Sequence, residues 1–510
     1  MPATIDKVII ANRAALRGKY RPAGATRIEK ALAGLIAADA AKGLATRIVY
    51  IDEAAQMRPF GVPPVTGPAD EKGAKGAVDA IDEKLTPDYV VLLDGPDVVP
   101  HITLNAIAGL VEDDEKVPSD LPYASDAPWS QDAHDFLTVT RVVGRLPAAA
   151  AETSPDTIVA IIDRAASHAP SPPADYRDYF SISAEVWQES TKLSLKAVFG
   201  ESDALAVAPP ARHPAIDGDL TRLSHFINCH GATADDRFYG QHGQRKPIAM
   251  KSLAIAPNVR EGAVVAAECC YGAQLFDYAM AHANPPICMS YMANGAIGYV
   301  GSTTIAYGPA DSNSEADLIT QYFMQQVLKG ASLGRAFLEA RHQFIRGQVM
   351  ASPTNLKTIA QFLLLGDPSV QPCIAEPTHT TPKLTEADAK LIDPKGQRRA
   401  RRLALQSEGA AVAATASRPG KVVAGRDQVS RRVANLAKGH GFEARKVAMV
   451  EARGGEILHA AMARLEVDRK VAVVMERREA DGAGQTPSIK LLVAHIIGKD
   501  IVRIEKLERR

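Results

Sequence analysis

The sequence predicts an α/β protein, with mostly parallel sheets covered by helices in two successive subdomains and then a smaller basic α/β or α+β domain. Three observations predict it. Short apolar runs alternate with stretches whose apolar residues recur at helical spacing, the order of parallel βαβ units. The chain has 510 residues, more than one hydrophobic core accommodates. Charge is divided unevenly. Residues 381–510 carry 27 Lys and Arg against 16 Asp and Glu, so the zero net charge leaves residues 1–380 correspondingly acidic.

Each element follows from its local pattern. KVIIANRAALRGKY reads as a short strand and a basic turn. GATRIEKALAGLIAADAAKGL has helical spacing and stops near Gly43. TRIVYID is a strand, MRPFGVPPVTGP a Pro/Gly-rich loop, AKGAVDAIDEKL a helix and YVVLLDG a strand. The long acidic loop EDDEKVPSDLPYASDAPWSQDAHD precedes the strand FLTVTRVVGRLP and the helix SPDTIVAIIDRAASHA, and PSPPADYRD is a hinge. In the second half FINCHG, GAVVAAECCYG, NGAIGYVGSTT and IAQFLLLGDPSV are strands, uninterrupted in apolar character as expected where both sheet faces are covered. EADLITQYFMQQVLKG and SLGRAFLEARHQFIRG are helices. The expected units are an N-terminal subdomain (1–170), a second α/β subdomain (171–377), a charged connector (378–420) and a basic domain (421–510). The sheet is complete before the tail begins, so the tail is expected to be dispensable to the core and to do no chemistry.

Composition narrows the setting. The hydrophobic fraction is 46% and the charged fraction 23%, ordinary for a globular chain. Five thinly spread cysteines suit a reducing compartment better than a disulfide framework. The first residues lack the apolar region of a secretory leader, and no run approaches the ~20 apolar residues of a membrane span. The expectation is a cytoplasmic protein without membrane contact. The basic tail, including KGQRRARR, is either a solvated surface or a docking surface for an acidic protein partner. A nucleic acid would be attracted by the same charge, but no aromatic stacking platform accompanies it.

Reactive groups in an α/β sheet gather beyond the carboxyl ends of strands. Two strands here end in such groups: FINCHG in His230-Gly231, and VVAAECC in Cys269-Cys270. About one crossover separates them, so the strands can be neighbours. A thiol nucleophile needs a base beside it. The N–H groups of Gly231 and of the cysteine itself can then form an oxyanion hole. Two other readings use the same residues. A buried Cys is ordinarily a small hydrophobe. Zinc bound by Cys229, His230, Cys269 and Cys270 is the other, but neighbouring strand residues face opposite ways and no Cys-x-x-Cys occurs. No metal or cofactor is expected. No G-x-S-x-G, Walker A or G-x-G-x-x-G run supports an α/β hydrolase or nucleotide site.

A strand ending in His-Gly, followed by one ending in an acidic residue, a small residue and Cys, resembles the caspase-like (clan CD) cysteine peptidases, and most of all the gingipain-type family. YVVLLDGPDVVP resembles that family's Leu-Leu-x-Gly-Asp segment, with Asp97 displaced. SDLPYA with VVGRLP resembles its Ser-Asp-x-x-Tyr and Gly-Arg pair. NGAIGYVGSTT, GASLGRAF and LLLGDPSV match later landmarks in order, over about residues 89–370. The resemblance implies a three-layer α/β/α fold and a cysteine endopeptidase acting on a protein or peptide through a His230–Cys270 dyad. Spacing from the acidic residue and from Leu275-Phe276 selects Cys270. The Cys-x-x-Gly pattern selects Cys269 instead. Gly231 and Cys270 would supply the oxyanion N–H groups. By the same resemblance Tyr307 is a candidate wall of the P1 pocket and Asp311 a candidate charge selecting Arg or Lys. Trp187 and Glu189 are candidates for the opposite wall, Trp187 being otherwise core. The different class kept open is an inactive caspase-like scaffold that recruits protein partners.

Overall fold

The computed structural model describes residues 4–106, 116–281, 283–374, 394–443, 447–453, 469–478 and 488–510. The acidic stretch 112–115 of the predicted loop and residues 378–393 of the expected connector lie outside the described residues. The strands are, in chain order, β1 (Lys7–Ala11), β2 (Thr46–Tyr50), β3 (Tyr89–Leu93), β4 (Ile102–Asn105), β5 (Lys116–Ser119), β6 (Val143–Leu146), β7 (Tyr179–Ala184), β8 (Leu205–Ala208), β9 (Ser224–Asn228) and β10 (Arg237–Tyr239). They continue as β11 (Ile248–Lys251), β12 (Val264–Ala267), β13 (Gly298–Ser302), β14 (Tyr307–Gly308), β15 (Phe362–Leu365), β16 (Arg418–Ala424), β17 (Val447–Arg453), β18 (Arg469–Arg478), β19 (Ser488–Ile497) and β20 (Asp500–Arg509).

Ten strands form one sheet in the order β2-β1-β3-β6-β15-β13-β12-β9-β7-β8. Neighbours run parallel except β13 and β15. The sheet is therefore two five-stranded parallel halves that meet at a single antiparallel seam. β15 comes from the second half of the chain, yet pairs with β6 of the first. Helices cover both faces. His225 on β9 meets Tyr291 of the helix Ile287–Asn294 at 3.0 Å. Asn228, three residues on and so on the other face, donates to Thr191 of the helix Gln188–Phe199 at 2.9 Å. The fold is the expected three-layer α/β/α sandwich.

Local differences have local causes. The basic turn expected after β1 is instead the first turns of a 29-residue helix, Arg13–Ala41. Asn12 caps it by accepting from the Ala15 N–H, and the interruption falls later, at Arg21 with φ 61°, ahead of Pro22. Proline disfavours a helical residue before it, which places the kink there. FLTVTRVVGRLP is extended only over Val143–Leu146, because Ala133–Phe136 closes a 3₁₀ turn. The Ser-Asp-x-x-Tyr and Gly-Arg landmarks are one buried ion pair: Arg145 holds Asp120 at 2.6 and 2.9 Å and donates to the carbonyls of Asp94 and Val99. Burial would raise the Asp120 carboxyl, but Arg145 and His101 hold it well below the usual range.

The basic domain is α+β. β16 to β20 form an antiparallel sheet with the helix Gln428–Gly439 on one face, where Val433, Ala437, Met449, Val474 and Leu492 make a small core. The opposite face is not free. Val450, Val471, Val493 and Leu507 belong to the same continuous core as β1, β12 and β15. The sheet also continues into the main body, since β20 pairs antiparallel with β14. The expectation that the tail leaves the core complete is thus corrected: side chains of alternate parity on its strands serve two cores. Among the described residues no helix is long and apolar enough to cross a membrane.

Candidate active site

The site lies where β9 and β12, paired in parallel from Val264↔Ser224 to Ala267↔Ile227, run out together. That register sets His230-Gly231 beside Cys269-Cys270. Contact is close: a side chain at Gly231 would collide with the carbonyl oxygen of Cys270. The glycine after the histidine is a requirement of this approach. After Cys270 the chain turns through Tyr271, at φ 54°. The turn is held by Tyr271 N–H to Thr304 O (2.9 Å), Gly272 N–H to Cys269 O (3.1 Å) and Ser302 Oγ to Cys269 O (2.8 Å).

The two cysteines diverge. Cys269 Sγ accepts from the Cys229 N–H at 3.4 Å and lies 4.0 Å from Ile227 O. Burial, with Cys229 beside it, pushes this thiol well above its usual range, as for an inert core residue. Cys270 Sγ turns to the segment after β13, accepting from Ala306 N–H at 3.3 Å and lying 3.5 Å from Ala306 O. Cys229 Sγ sits 4.0 Å from Ile182 O. Cys229 and Cys269 adjoin each other while Cys270 Sγ turns to Ala306, so the thiols of the zinc reading do not converge on one point. Among the described residues one group, Glu339, His342 and Glu408, brings carboxylate and imidazole atoms within 4.8 Å, but Arg346 already pairs with Glu408 at 2.9 Å.

His230 is 5% exposed. Its Nε2 lies 2.5 Å from Gln241 Oε1, and its ring sits 4.4 Å from that of Trp187. Burial, then the nearby Lys246, Arg509 and Arg510, hold the imidazole well below its usual range, against the Gln241 hydrogen bond. His230 is therefore neutral near pH 7, the form that accepts a proton. Lys246 is itself lowered by burial, while its attraction to Cys270 raises it.

Beside His230 and Cys270 is a closed acidic pocket. Glu268 accepts from Thr320 Oγ1 at 3.0 Å and contacts Arg510 Nη1. Asp317, on the helix Glu315–Leu328, holds Arg510 Nη2 at 2.7 Å. Pro309 O lies 3.4 Å from the same nitrogen, and the guanidinium sits 5.3 Å from the Trp187 ring. A side chain at Gly308 would collide with it. Glu268, Asp317, Trp187 and Arg510 are fully buried. Burial and mutual repulsion raise Glu268, and burial raises Asp317, with Arg510 opposing both.

Of the sequence candidates, His230, Gly231, Cys270 and Trp187 come together here. Tyr307 is at the pocket through its backbone; its ring is buried, 5.6 Å from the Lys357 ammonium. Asp311 is exposed, and Glu189 is exposed and paired with Lys192 at 2.7 Å. Neither reaches the guanidinium. Sequence reasoning missed Gln241, Lys246, Asp317 and Arg510 and left Glu268 without a role, although its place two residues before Cys270 was a usable signal. Asp317 carries no local signal beyond its helix-capping pair with Ser314.

Two parallel strands that deliver His-Gly and Cys to one edge of a mostly parallel sheet define a class, the caspase-like cysteine peptidases of clan CD. Within it the chain belongs to peptidase family C25, the gingipain family, whose model matches residues 2–373. The basic domain lies beyond that match. Among solved structures the chain is similar to one described as "Structure of Protease", at 12% identity over 100% of this chain and 98% of that one, TM-score 0.46. It is also similar to a chain of the Saccharomyces cerevisiae separase–securin complex, at 11% identity over 46% of this chain and 14% of that one, TM-score 0.30. No curated protein matches the sequence.

Proposed function

We propose that the protein is a cysteine endopeptidase that cleaves after arginine, with Cys270 as nucleophile and His230 as its base. The observation that carries the specificity is the Glu268–Asp317 pair, two buried carboxylates closed around a guanidinium beside the dyad. Buried like charges are costly unless a cation completes them, and a planar guanidinium bridging two carboxylates fits better than a lysine ammonium. Family membership supports the peptidase chemistry.

On this reading neutral His230 takes the Cys270 thiol proton, with Lys246 favouring the thiolate. The sulfur attacks the carbonyl carbon of the P1 arginine, and the oxyanion is held by the N–H groups of Gly231 and Cys270. The imidazolium returns its proton to the leaving amine. Water then attacks the thioester, giving the acid and the free thiol. The substrate backbone lies along β14, and its P1 side chain enters under Trp187. The acidic partner expected of the basic domain is then in cis: Arg510 meets Glu268 and Asp317, and Arg402 of the connector meets Asp82 at 2.6 Å. Five buried cysteines support a reducing, cytoplasmic setting.

A fluorogenic peptide panel varied at P1 tests the reading. Cleavage is expected after Arg, weaker after Lys and absent after Ala or Asp, and Cys270→Ala should abolish it. A Cys270→Ala protein that still turns over, or a preference for an uncharged P1, would contradict it. No cleavage of any panel member and no alkylation of Cys270, in the wild type and in an Arg510→Ala variant that empties the pocket, would favour the scaffold.

A further inference from the structure

We propose that the end of β20 is a plug: residues 508–510 occupy the substrate cleft as a bound peptide would, with Arg510 in the P1 position. This rests on reading the cleft as an arginine-directed peptidase site. The backbone carries the first part of the case. β20 adds to β14 with Arg509 opposite Tyr307 and Glu508 opposite Gly308, the strand addition by which extended peptides bind sheet edges. Next, Arg510 N–H donates to Ala306 O at 3.1 Å, the carbonyl that Cys270 Sγ approaches at 3.5 Å. The nucleophile and the Arg510 main chain thus share one neighbour. Arg509 extends beside them, 5.9 Å from the Tyr271 ring.

The side chain carries the second part. The Arg510 guanidinium takes both carboxylates of the pocket, and Gly308 has no side chain to obstruct it. With Arg510 in place the pocket and Cys270 are fully buried, so no substrate arginine can enter. A pure packing contact would gain more from an apolar residue of similar size than from a buried ion cluster. The plug is tethered by the β19–β20 ladder, which runs from Lys490↔Glu508 to Ile497↔Asp500. A short tether gives an effective concentration of order millimolar, enough to outcompete dilute substrate. Residues 508–510 are held to the cleft by two residue pairs with β14, the Arg510 N–H bond to Ala306 O and the Arg510 side chain, so they can leave while Leu507 and the rest of the β19–β20 ladder stay in place.

The test uses the full chain as wild type, Arg510→Ala, Arg510→Lys and Lys506→Ala, the last an exposed cation on the same strand. Cleavage of an Arg-P1 peptide and iodoacetamide labelling of Cys270, located by fragment mass spectrometry, are read together. Arg510→Ala should raise both rates by at least about ten-fold, the least expected on removing a tethered competitor. Arg510→Lys should give a smaller rise and Lys506→Ala none, and arginine amide should slow labelling of the alanine variant. If Arg510→Ala does not fold, Arg510→Lys carries the comparison. Folded variants that label and cleave at wild-type rates overturn the plug and leave the peptidase reading intact. Faster labelling without cleavage by any protein keeps the plug and removes the peptidase reading.

Discussion

Cys269 and Cys270 differ by one residue and by everything around them. Cys269 Sγ lies among Cys229 and the β9 backbone, whereas Cys270 Sγ faces Ala306 and the pocket edge. Cys269→Ala should therefore cost about 1 kcal/mol, as is usual for trimming a core side chain, and leave turnover measurable. A Cys269→Ala protein that is folded but inactive would exchange the roles. His230 makes a second expectation. In the proposed mechanism its neutral form is the base, and burial holds its pKa below the ordinary 6.5. Activity should therefore persist as pH falls through 6.5, and the acid limb of kcat should lie below that value. His230→Ala should lose roughly 10²–10⁴-fold in rate with the fold retained. An acid limb at or above pH 6.5 in a kcat profile would contradict the environment described for the ring. As pH falls further, Glu268 and Asp317, raised by burial, protonate earlier than ordinary carboxylates. KM for Arg substrates of the Arg510→Ala variant, whose pocket is open, should then rise.

At the scale of elements, the geometry depends on how closely two strand ends approach. The Gly231 backbone lies against the Cys270 carbonyl, with no space for a methyl group. Gly231→Ala must push β9 and β12 apart at their ends, and a displacement of about 1 Å at a reacting group can cost 10²-fold. A loss of about that size in kcat, with Tm little changed, is expected. An alanine variant with wild-type kcat would show that the approach is not needed. The antiparallel seam between β13 and β15 has a comparable role. It brings Phe362–Leu365 against Gly298–Ser302, and Ser302 in turn ties the Cys269 carbonyl.

The whole molecule is more integrated than its charge division suggests. The basic domain meets the acidic body through the Arg510 ion pairs with Glu268 and Asp317, but it also contributes Val450, Val471, Val493 and Leu507 to the main core. Each fully buried side chain of this kind is worth about 1.5–3 kcal/mol. Together they are comparable to the 5–15 kcal/mol stability typical of a domain. A fragment ending at residue 380 should aggregate, or melt well below the full chain, in a thermal scan. High salt should weaken the association little, because screening acts on exposed charge. A fragment with the Tm of the full protein would show that the domain is an accessory.

Much of this was legible along the chain, for reasons that are local. Apolar runs such as VVAA and FLLL are strands because both sheet faces are covered. Alternation with amphipathic helices makes those strands parallel, and parallel strands put their reactive ends on one edge. His230, Gly231 and the cysteine pair could be read that way, and so could the order of the family's landmarks. Long-range placement could not. Which cysteine faces the cleft depends on the parity of β12 against the helices above and below it. The acidic pocket joins Glu268, Asp317 and Arg510, and Arg510 stands 242 residues from Glu268. Asp311 and Glu189 were candidates by the family resemblance, but both are exposed, and the residues around the guanidinium are ones that the sheet and the helix Glu315–Leu328 bring to the same point. The strand period and the turn residues are written in consecutive positions. The filling of a pocket by another domain's side chain is decided only when strands of both domains pair, because that contact free energy exists nowhere in the isolated segments.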